Sequence, residues 1–143
     1  MEKRIIKWDL HSVDLEAFPE LHSSKIPPLL FISKFFDDGI ENFKKSMGLT
    51  KQYIATKMKS TVALQSSITI YHWVHDNQLN IKTRAKKFDG RKVIMEQNIC
   101  SREEILITQT TLSISFDIYR RKSCYFDEKI AINYKKFIDG DHY

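Results

Sequence analysis

The sequence predicts an α+β fold in which a long, curved antiparallel sheet wraps around one central helix. Residues 27–47 carry a helical apolar stripe, and most of the remaining chain alternates apolar and polar residues as strands do. Short polar turns separate these strands, which favours antiparallel neighbours. One helix cannot cover a five-stranded sheet in flat layers, but a curved sheet can enclose it.

The helix is predicted from Pro27 to Met47. Prolines suit the first turn of a helix, and Gly48 is a natural stop. The large apolar residues recur at spacings that place them in one stripe with a 3.6-residue period: Ile32, Phe35, Phe36, Ile40, Phe43 and Met47.

The strands are predicted on both sides of this helix. The first runs from Arg4 to Leu10, and the others cover about 62–74, 79–86, 93–100 and 105–118. Asp89-Gly90 is typical of a hairpin turn. The polar residues 134–143 are expected to form a frayed tail. The chain, 1–143, is therefore predicted as a single domain with its core at about 4–130.

The composition excludes several classes of protein. With 42% hydrophobic and 29% charged residues, the chain is not expected to be disordered. The apolar run Leu29–Ile32 is far shorter than the ~20 residues of a membrane helix, and the first residues do not resemble a signal peptide. We therefore expect a cytoplasmic protein without a membrane span, in which Cys100 and Cys124 are reduced.

The net charge of +5, from 23 basic and 18 acidic residues, is a modest excess. It favours an acidic partner, such as a phosphate-bearing cofactor or an acidic carrier protein, or it serves solubility alone. Nucleic-acid binding is not expected, because no nucleic-acid motif accompanies the charge. His72 and His75 flank Trp73 without clustered carboxylates or cysteines, so no metal site is predicted.

Three stretches of the chain carry a resemblance to a known group of proteins. The first joins residues 5–14 to residues 26–38 and closes at Met47-Gly48-Leu49, as a strand, an Asp-bearing loop and a helix. The second is 79–84 with Asp89-Gly90, and the third is 106–111 with 116–121. Together they resemble the hotdog fold, and within it the 4-hydroxybenzoyl-CoA thioesterase group and the acyl-carrier-protein thioesterases of fatty-acid or polyketide biosynthesis.

This resemblance implies hydrolysis of an acyl thioester by a homodimer or homotetramer, with sites between subunits and an acyl tunnel beside the helix. Coenzyme A or phosphopantetheine would arrive as part of the substrate, from acyl-CoA or an acyl carrier protein, and no separate cofactor is implied. The loop at 14–24 departs from the family pattern, since it contains neither Gly nor Asn. The alternative is a non-hydrolytic hotdog protein, either a 3-hydroxyacyl thioester dehydratase or a binding module.

Thioester hydrolysis needs a carboxylate that attacks the carbonyl or activates a water. The candidates in the loop and helix are Asp14, Glu16, Asp37, Asp38 and Glu41. Asp14 lies in the loop that resembles the Asp-bearing loop, although an Asp there also suits a turn or cap. Asp37 and Asp38 lie in the helix, where some relatives carry a catalytic carboxylate, but they also suit a solvated helix face. His22 resembles the loop histidine that dehydratases of this fold pair with a helical acid, here Asp37. His11 competes for the same role, and an exposed loop histidine is the alternative for His22.

Candidate substrate-binding residues fall into two groups. Phe35 and Phe36 suit an acyl tunnel and suit a core equally well. Gly39 lies on the helical stripe, where Gly costs roughly 1 kcal/mol relative to Ala, so it marks a close approach of a strand, a partner helix or an acyl chain. Basic side chains that suit either phosphate binding or a solvated face are Arg84, Arg91, Arg120 and Arg121.

Overall fold

The structure is a computed structural model that describes residues 7–18, 29–74, 76 and 78–140. Its elements are, in order, β1 (Asp9–Asp14), a short 3₁₀ turn (Leu15–Ala17), α1 (Leu29–Ser46), α2 (Lys51–Lys57), β2 (Lys59–Ile70), β3 (Gln78–Phe88), β4 (Lys92–Ser101), β5 (Glu104–Asp117), β6 (Lys122–Ser123) and α3 (Glu128–Asp139). No helix of these described residues is long and apolar enough to cross a membrane.

The strands form one antiparallel sheet in the order β1-β3-β4-β5-β2, with the short β6 beside β5. The predicted hairpin is confirmed between β3 and β4. There the Asp89 carboxylate accepts the backbone N–H groups of Arg91 and Lys92 at 2.9 and 2.7 Å, and Gly90 has a φ of 91°. Three β-bulges among the described strands, one each in β2, β3 and β5, increase the local twist of the sheet.

The long helix α1 is central, as its stripe predicts. It contacts β1, β3 and β4, and all but one of the stripe residues are buried. A Cβ added at Gly39 would lie 2.8 Å from Cγ2 of Ile81 on β3. The sequence left open whether a strand, a partner helix or an acyl chain approaches Gly39 closely, and the structure shows that it is a strand.

The expected C-terminal tail is wrong for residues 134–139. These residues belong to α3, whose Tyr134 and Phe137 are 1% and 5% exposed. The two rings pack against Phe43, near the C-terminal end of α1. The charged residues of this segment are spaced around an amphipathic helix, which buries one face, so the core extends beyond residue 130.

Two other boundaries differ from the sequence prediction. The first strand covers Asp9–Asp14 and pairs with β3, so its described part lies later than the predicted 4–10. The strand after α1 begins at Lys59 and ends at Ile70, a few residues before its predicted bounds of 62 and 74, and an unpredicted helix, α2, precedes it. Thr50 caps α2, since its hydroxyl accepts the Tyr53 N–H at 3.1 Å.

Candidate active site

A groove of about 230 Å³ lies between α1 and α2. One wall consists of α1 residues that face away from the core, and the other consists of Leu49 and α2. The groove is lined by Asp37, Ile40, Glu41, Lys44, Lys45, Leu49, Lys51 and Ile54. Among the carboxylates singled out from the sequence, Asp37 and Glu41 line it, one turn of α1 apart.

The position of Asp37 follows from the way α1 meets the sheet. Phe36 and Gly39 face β3 and β4 and are fully buried, and the carbonyl of Phe36 accepts a hydrogen bond at 2.9 Å from the side chain of Gln97. Because successive helical residues are 100° apart, Asp37 emerges on the exposed side. Partial burial, and then the neighbouring charge of Asp38, raise the pKa of the Asp37 carboxyl above its usual value.

The basic side of the groove is held by Lys44. Its ammonium donates to the Ser60 hydroxyl at 3.1 Å, which ties α1 to the start of β2. Burial lowers the pKa of Lys44, and the nearby charge of Glu41 acts in the opposite direction. The groove therefore combines carboxylates with ammonium groups at an edge accessible to solvent. Lys44 was not predicted as a site residue. The available signal was Thr50, a typical helix cap, which predicts a second helix after α1 and therefore a second wall beside Lys44.

The other predicted carboxylates occupy simpler surroundings. Asp38 forms an i,i+4 ion pair with Lys34 at 3.7 Å, which is the solvated helix face considered as its alternative. Asp14 is exposed and caps the 3₁₀ turn, because its carboxylate accepts the Glu16 N–H at 2.9 Å. The structure does not bring Asp14 into the groove beside Asp37.

The histidine prediction remains a prediction, since His22 lies outside the described residues. His72 follows the end of β2, is exposed and contacts the Glu104 carboxylate at 2.5 Å. His75 is also outside the described residues. Among those that are described, no group of three His, Cys, Asp or Glu side chains is placed to hold a metal ion.

Phe35 and Phe36 belong to the packed core, with exposures of 1% and 0%. Gly39 faces the sheet rather than an open cavity. Next to it lies a buried polar ladder that the sequence analysis did not identify. The side-chain NH₂ group of Gln97 donates to the Thr83 hydroxyl at 3.0 Å. The side-chain NH₂ group of Gln109 donates to the side-chain oxygen of Gln97, also at 3.0 Å. Polar residues at these core-facing strand positions were the available signal.

The four predicted arginines lie at separate positions. Arg84 on β3 is almost buried, donates to Glu96 at 3.2 Å and has its guanidinium 4.9 Å from the Trp8 ring. Arg91, at the β3–β4 turn, donates to the Ser123 hydroxyl at 2.6 Å. The remaining two, Arg120 and Arg121, are exposed in the turn after β5. None of the four lines the Asp37 groove.

Neither a family model nor a curated protein matches this sequence. Solved structures do match it. A hypothetical protein of Staphylococcus aureus, determined in complex with CoA, superposes with a TM-score of 0.85 at 12% identity, over 100% of this chain and 91% of that one. A probable thioesterase from Bartonella henselae gives 0.73 at 20% identity, over 85% and 100% of the two chains.

The DHNA-CoA thioesterase of Staphylococcus aureus gives a TM-score of 0.76 at 10% identity, over 90% of this chain and 89% of the other. The shared feature is an antiparallel sheet around a central helix. The chain has the hotdog fold. At these identities the likeness establishes the architecture alone. The hotdog assignment confirms the fold that the sequence predicts.

Proposed function

We propose that this hotdog protein hydrolyses an acyl thioester, with Asp37 as the general base. The observation that carries the proposal is the position of Asp37 on the exposed side of the central helix, in a groove, with its carboxyl pKa raised. A base whose pKa moves toward the working pH is better matched to proton transfer. The hotdog thioesterases among the structural matches support the same class of reaction.

In the proposed reaction, Asp37 takes a proton from a water whose oxygen attacks the thioester carbonyl carbon. The tetrahedral intermediate then collapses, the carbon–sulfur bond breaks, and Asp37 returns the proton to the leaving thiolate. The products are a carboxylic acid and a free thiol. CoA is the proposed carrier, because the matching Staphylococcus aureus protein was determined in complex with CoA; an acyl carrier protein bearing phosphopantetheine is the other carrier.

The oxyanion of this intermediate needs hydrogen-bond donors about 3 Å away. The first-turn N–H groups of α1 are natural donors, but α1 begins at Leu29, and eight residues of helix separate Leu29 from Asp37 by roughly 12 Å. The two ends therefore cannot serve one carbonyl within a single chain. A second copy that brings its own α1 terminus to this groove would complete the site.

The edge strand β2 supports such a homodimer. Within the described residues it pairs with β5 alone, and it exposes Val62, Leu64 and Ile70 by 40%, 54% and 42%. A long apolar edge left unpaired invites association. We therefore propose that β2 pairs with β2 of a second copy.

Leu64→Lys is expected to give a monomer in sedimentation or light-scattering measurements. The control, Leu10→Lys, lies at a 61% exposed position on the opposite edge strand β1 and should keep the dimer. A dimeric Leu64→Lys, or a monomeric wild type, would contradict this arrangement.

The first activity experiment is a panel of short, long and aromatic acyl-CoA and acyl-carrier thioesters, read by release of free thiol. Asp37→Asn is expected to lower kcat by about 10²–10⁴-fold, the usual contribution of a general base. Asp38→Asn is the matched control, since it makes the same change in the next residue. It breaks an exposed ion pair and removes a charge that helps to raise the pKa of Asp37, so kcat at neutral pH should stay close to that of the wild type while the acid limb of the pH profile moves to lower pH.

The pH profile supplies a second test. A base works when deprotonated, so kcat should rise as the pH passes upward through the pKa of Asp37, which lies above 3.8. Folded, dimeric wild-type protein that hydrolyses no thioester would overturn the proposed function. Equal loss of activity in Asp37→Asn and Asp38→Asn would overturn the assignment of Asp37, and loss in Asp14→Asn alone would move the base to the loop.

No described contact favours the dehydratase alternative. Asp37 forms no hydrogen bond or ion pair with any histidine in the described part of the chain, and the predicted partner, His22, lies outside that part. The binding-module alternative becomes the conclusion when thioester binds without turnover in the same assay.

A further inference from the structure

A larger cavity, of about 560 Å³, lies at the turn end of the β3–β4 hairpin, where the outer face of the sheet meets the last turn of α3. Its floor includes Ile94 on β4 and Leu112 on β5, which are paired across the two strands. Their sequence neighbours Met95 and Thr111 are also paired, and Met95 packs in the core with α1, so Ile94 and Leu112 point away from α1. The last turn of α3 forms one wall of this cavity.

The rim of this cavity is basic. Four ammonium groups surround the apolar floor, from both strands of the β3–β4 hairpin and from α3: Lys86, Lys87, Lys92 and Lys135. Two carboxylates, those of Asp89 and Asp139, also line it, which leaves a local charge of about +2. A concave, apolar and basic surface of this kind differs from a solvated lysine face, which has no floor to bury a ligand.

The charges of the rim are poorly neutralised by the protein. Within the described residues, Lys87 and Lys135 take part in no ion pair, and Lys86 lies 3.9 Å from Glu96, which already pairs with Arg84. The Asp89 carboxylate is committed to the turn: the backbone N–H groups of Lys92 and Arg91 lower its pKa. Lys87 and Lys135 are therefore available to an anion from outside the chain.

The shape and charge together select a class of ligand. A volume near 560 Å³ falls within the range of about 300–1,000 Å³ typical of small-molecule sites. Ammonium groups bind phosphate as point charges, while Phe88 and Ile138 extend the apolar lining to which a planar ring can pack. A single phosphate would leave the floor empty, and an uncharged ring would leave the lysines unpaired.

We propose that this cavity binds a phosphorylated nucleotide, with its base on the apolar floor and its phosphates at Lys87, Lys92 and Lys135. This nucleotide is either the nucleotide portion of a coenzyme A molecule or a separate, free nucleotide. Because the cavity shares no lining residue with the Asp37 groove, this inference does not depend on thioester hydrolysis.

The test is direct binding to the full-length protein by calorimetry, with 3′-phosphoadenosine 5′-phosphate as the probe. We expect one bound nucleotide per chain, at least tenfold weaker binding of adenosine and of inorganic phosphate, and an affinity that falls as salt is added. Lys87→Gln/Lys135→Gln should weaken binding at least tenfold. Lys122→Gln/Lys129→Gln removes the same charge from exposed positions outside the cavity and should change binding less than twofold.

Several results would overturn the proposal: no nucleotide binding at millimolar concentration, equal loss in the two double variants, or equal binding of inorganic phosphate and nucleotide. Binding of an acidic carrier protein without nucleotide binding would also overturn it.

Steady-state kinetics with acyl-CoA distinguishes the two sources of the nucleotide. A raised KM for acyl-CoA in Lys87→Gln/Lys135→Gln, with kcat unchanged, identifies the carrier end, whereas an unchanged KM with retained nucleotide binding in the wild type identifies a free nucleotide.

Discussion

Replacing Gly39 by Ala tests how closely α1 is seated on the sheet. Helix propensity alone favours the replacement by about 1 kcal/mol, since Gly is a poor residue in a helix interior. The structure opposes it. The new Cβ would lie 2.8 Å from Cγ2 of Ile81 and 3.1 Å from both the Gln97 amide nitrogen and the Thr83 hydroxyl.

These neighbours have little freedom to move. Ile81 and Thr83 are both fully buried, and the Gln97 amide holds hydrogen bonds to the Phe36 carbonyl and the Thr83 hydroxyl. Adding a methyl group to a packed site costs about 1–3 kcal/mol, and displacing the Gln97 amide weakens buried hydrogen bonds worth about 0.5–1.5 kcal/mol each. After the gain in propensity is subtracted, we expect Gly39→Ala to lower the free energy of unfolding by about 1–2 kcal/mol.

The assay is urea unfolding at one fixed protein concentration, since the stability of an oligomer depends on concentration. Ser33→Ala, elsewhere on α1, is the control: it also raises helix propensity but removes atoms instead of adding them, so its stability should be unchanged or slightly higher. An increase in stability of about 1 kcal/mol for Gly39→Ala, the value set by propensity alone, would refute the close contact described above.

Three further predictions concern the surroundings of the core. Asp127→Asn removes the negative charge and one of the two oxygens that accept hydrogen bonds from the Tyr53 hydroxyl and the Lys59 ammonium, both of which lower the pKa of Asp127. The variant should lose about 1–3 kcal/mol at neutral pH in urea unfolding, and the difference should shrink as the pH falls through that lowered pKa. Gln97→Leu leaves buried partners unpaired and should cost about 1–3 kcal/mol for each, measured in the same way. A thiol reagent should label Cys124 of the native protein well before Cys100, which is 1% exposed and whose pKa is raised by burial; peptide mapping would locate the label.

The sequence predicts the parts of this fold that depend on local periodicity. The stripe from Ile32 to Met47 places α1 within two residues of its observed ends, and alternation locates β3, β4 and β5 to within one or two residues. The hairpin at Asp89-Gly90 is equally local, because Asp accepts its own turn's N–H groups and Gly tolerates a positive φ. Such elements can be predicted without knowing which residues pack against them.

The misses have a common physical origin in tertiary contact. The charged residues around Tyr134 resemble a tail until Phe43 is known to lie opposite, since only then does the apolar side of α3 have a surface to cover. Likewise, sequence alone left Asp14, Asp37 and Asp38 as comparable carboxylates. Their difference comes from α2, which Thr50 caps and which forms the groove wall beside Asp37, whereas Asp14 and Asp38 do not line the groove.

The contacts that fix the fold also determine which carboxylate is presented. The Gln97 amide holds the Phe36 carbonyl against the sheet, and Gly39 permits that approach, so Asp37 and Asp38 between them point outward, and Asp37 is the one that lines the groove. The rotation of α1 about its own axis is therefore set by β3 and β4 and not by the groove itself. Because a displacement of about 1 Å can reduce catalysis by about 100-fold, a change at Gly39 should lower kcat by more than its effect on unfolding would suggest. A Gly39→Ala variant with wild-type kcat and lowered stability would separate the two roles, and would show that the position of Asp37 tolerates movement of the helix.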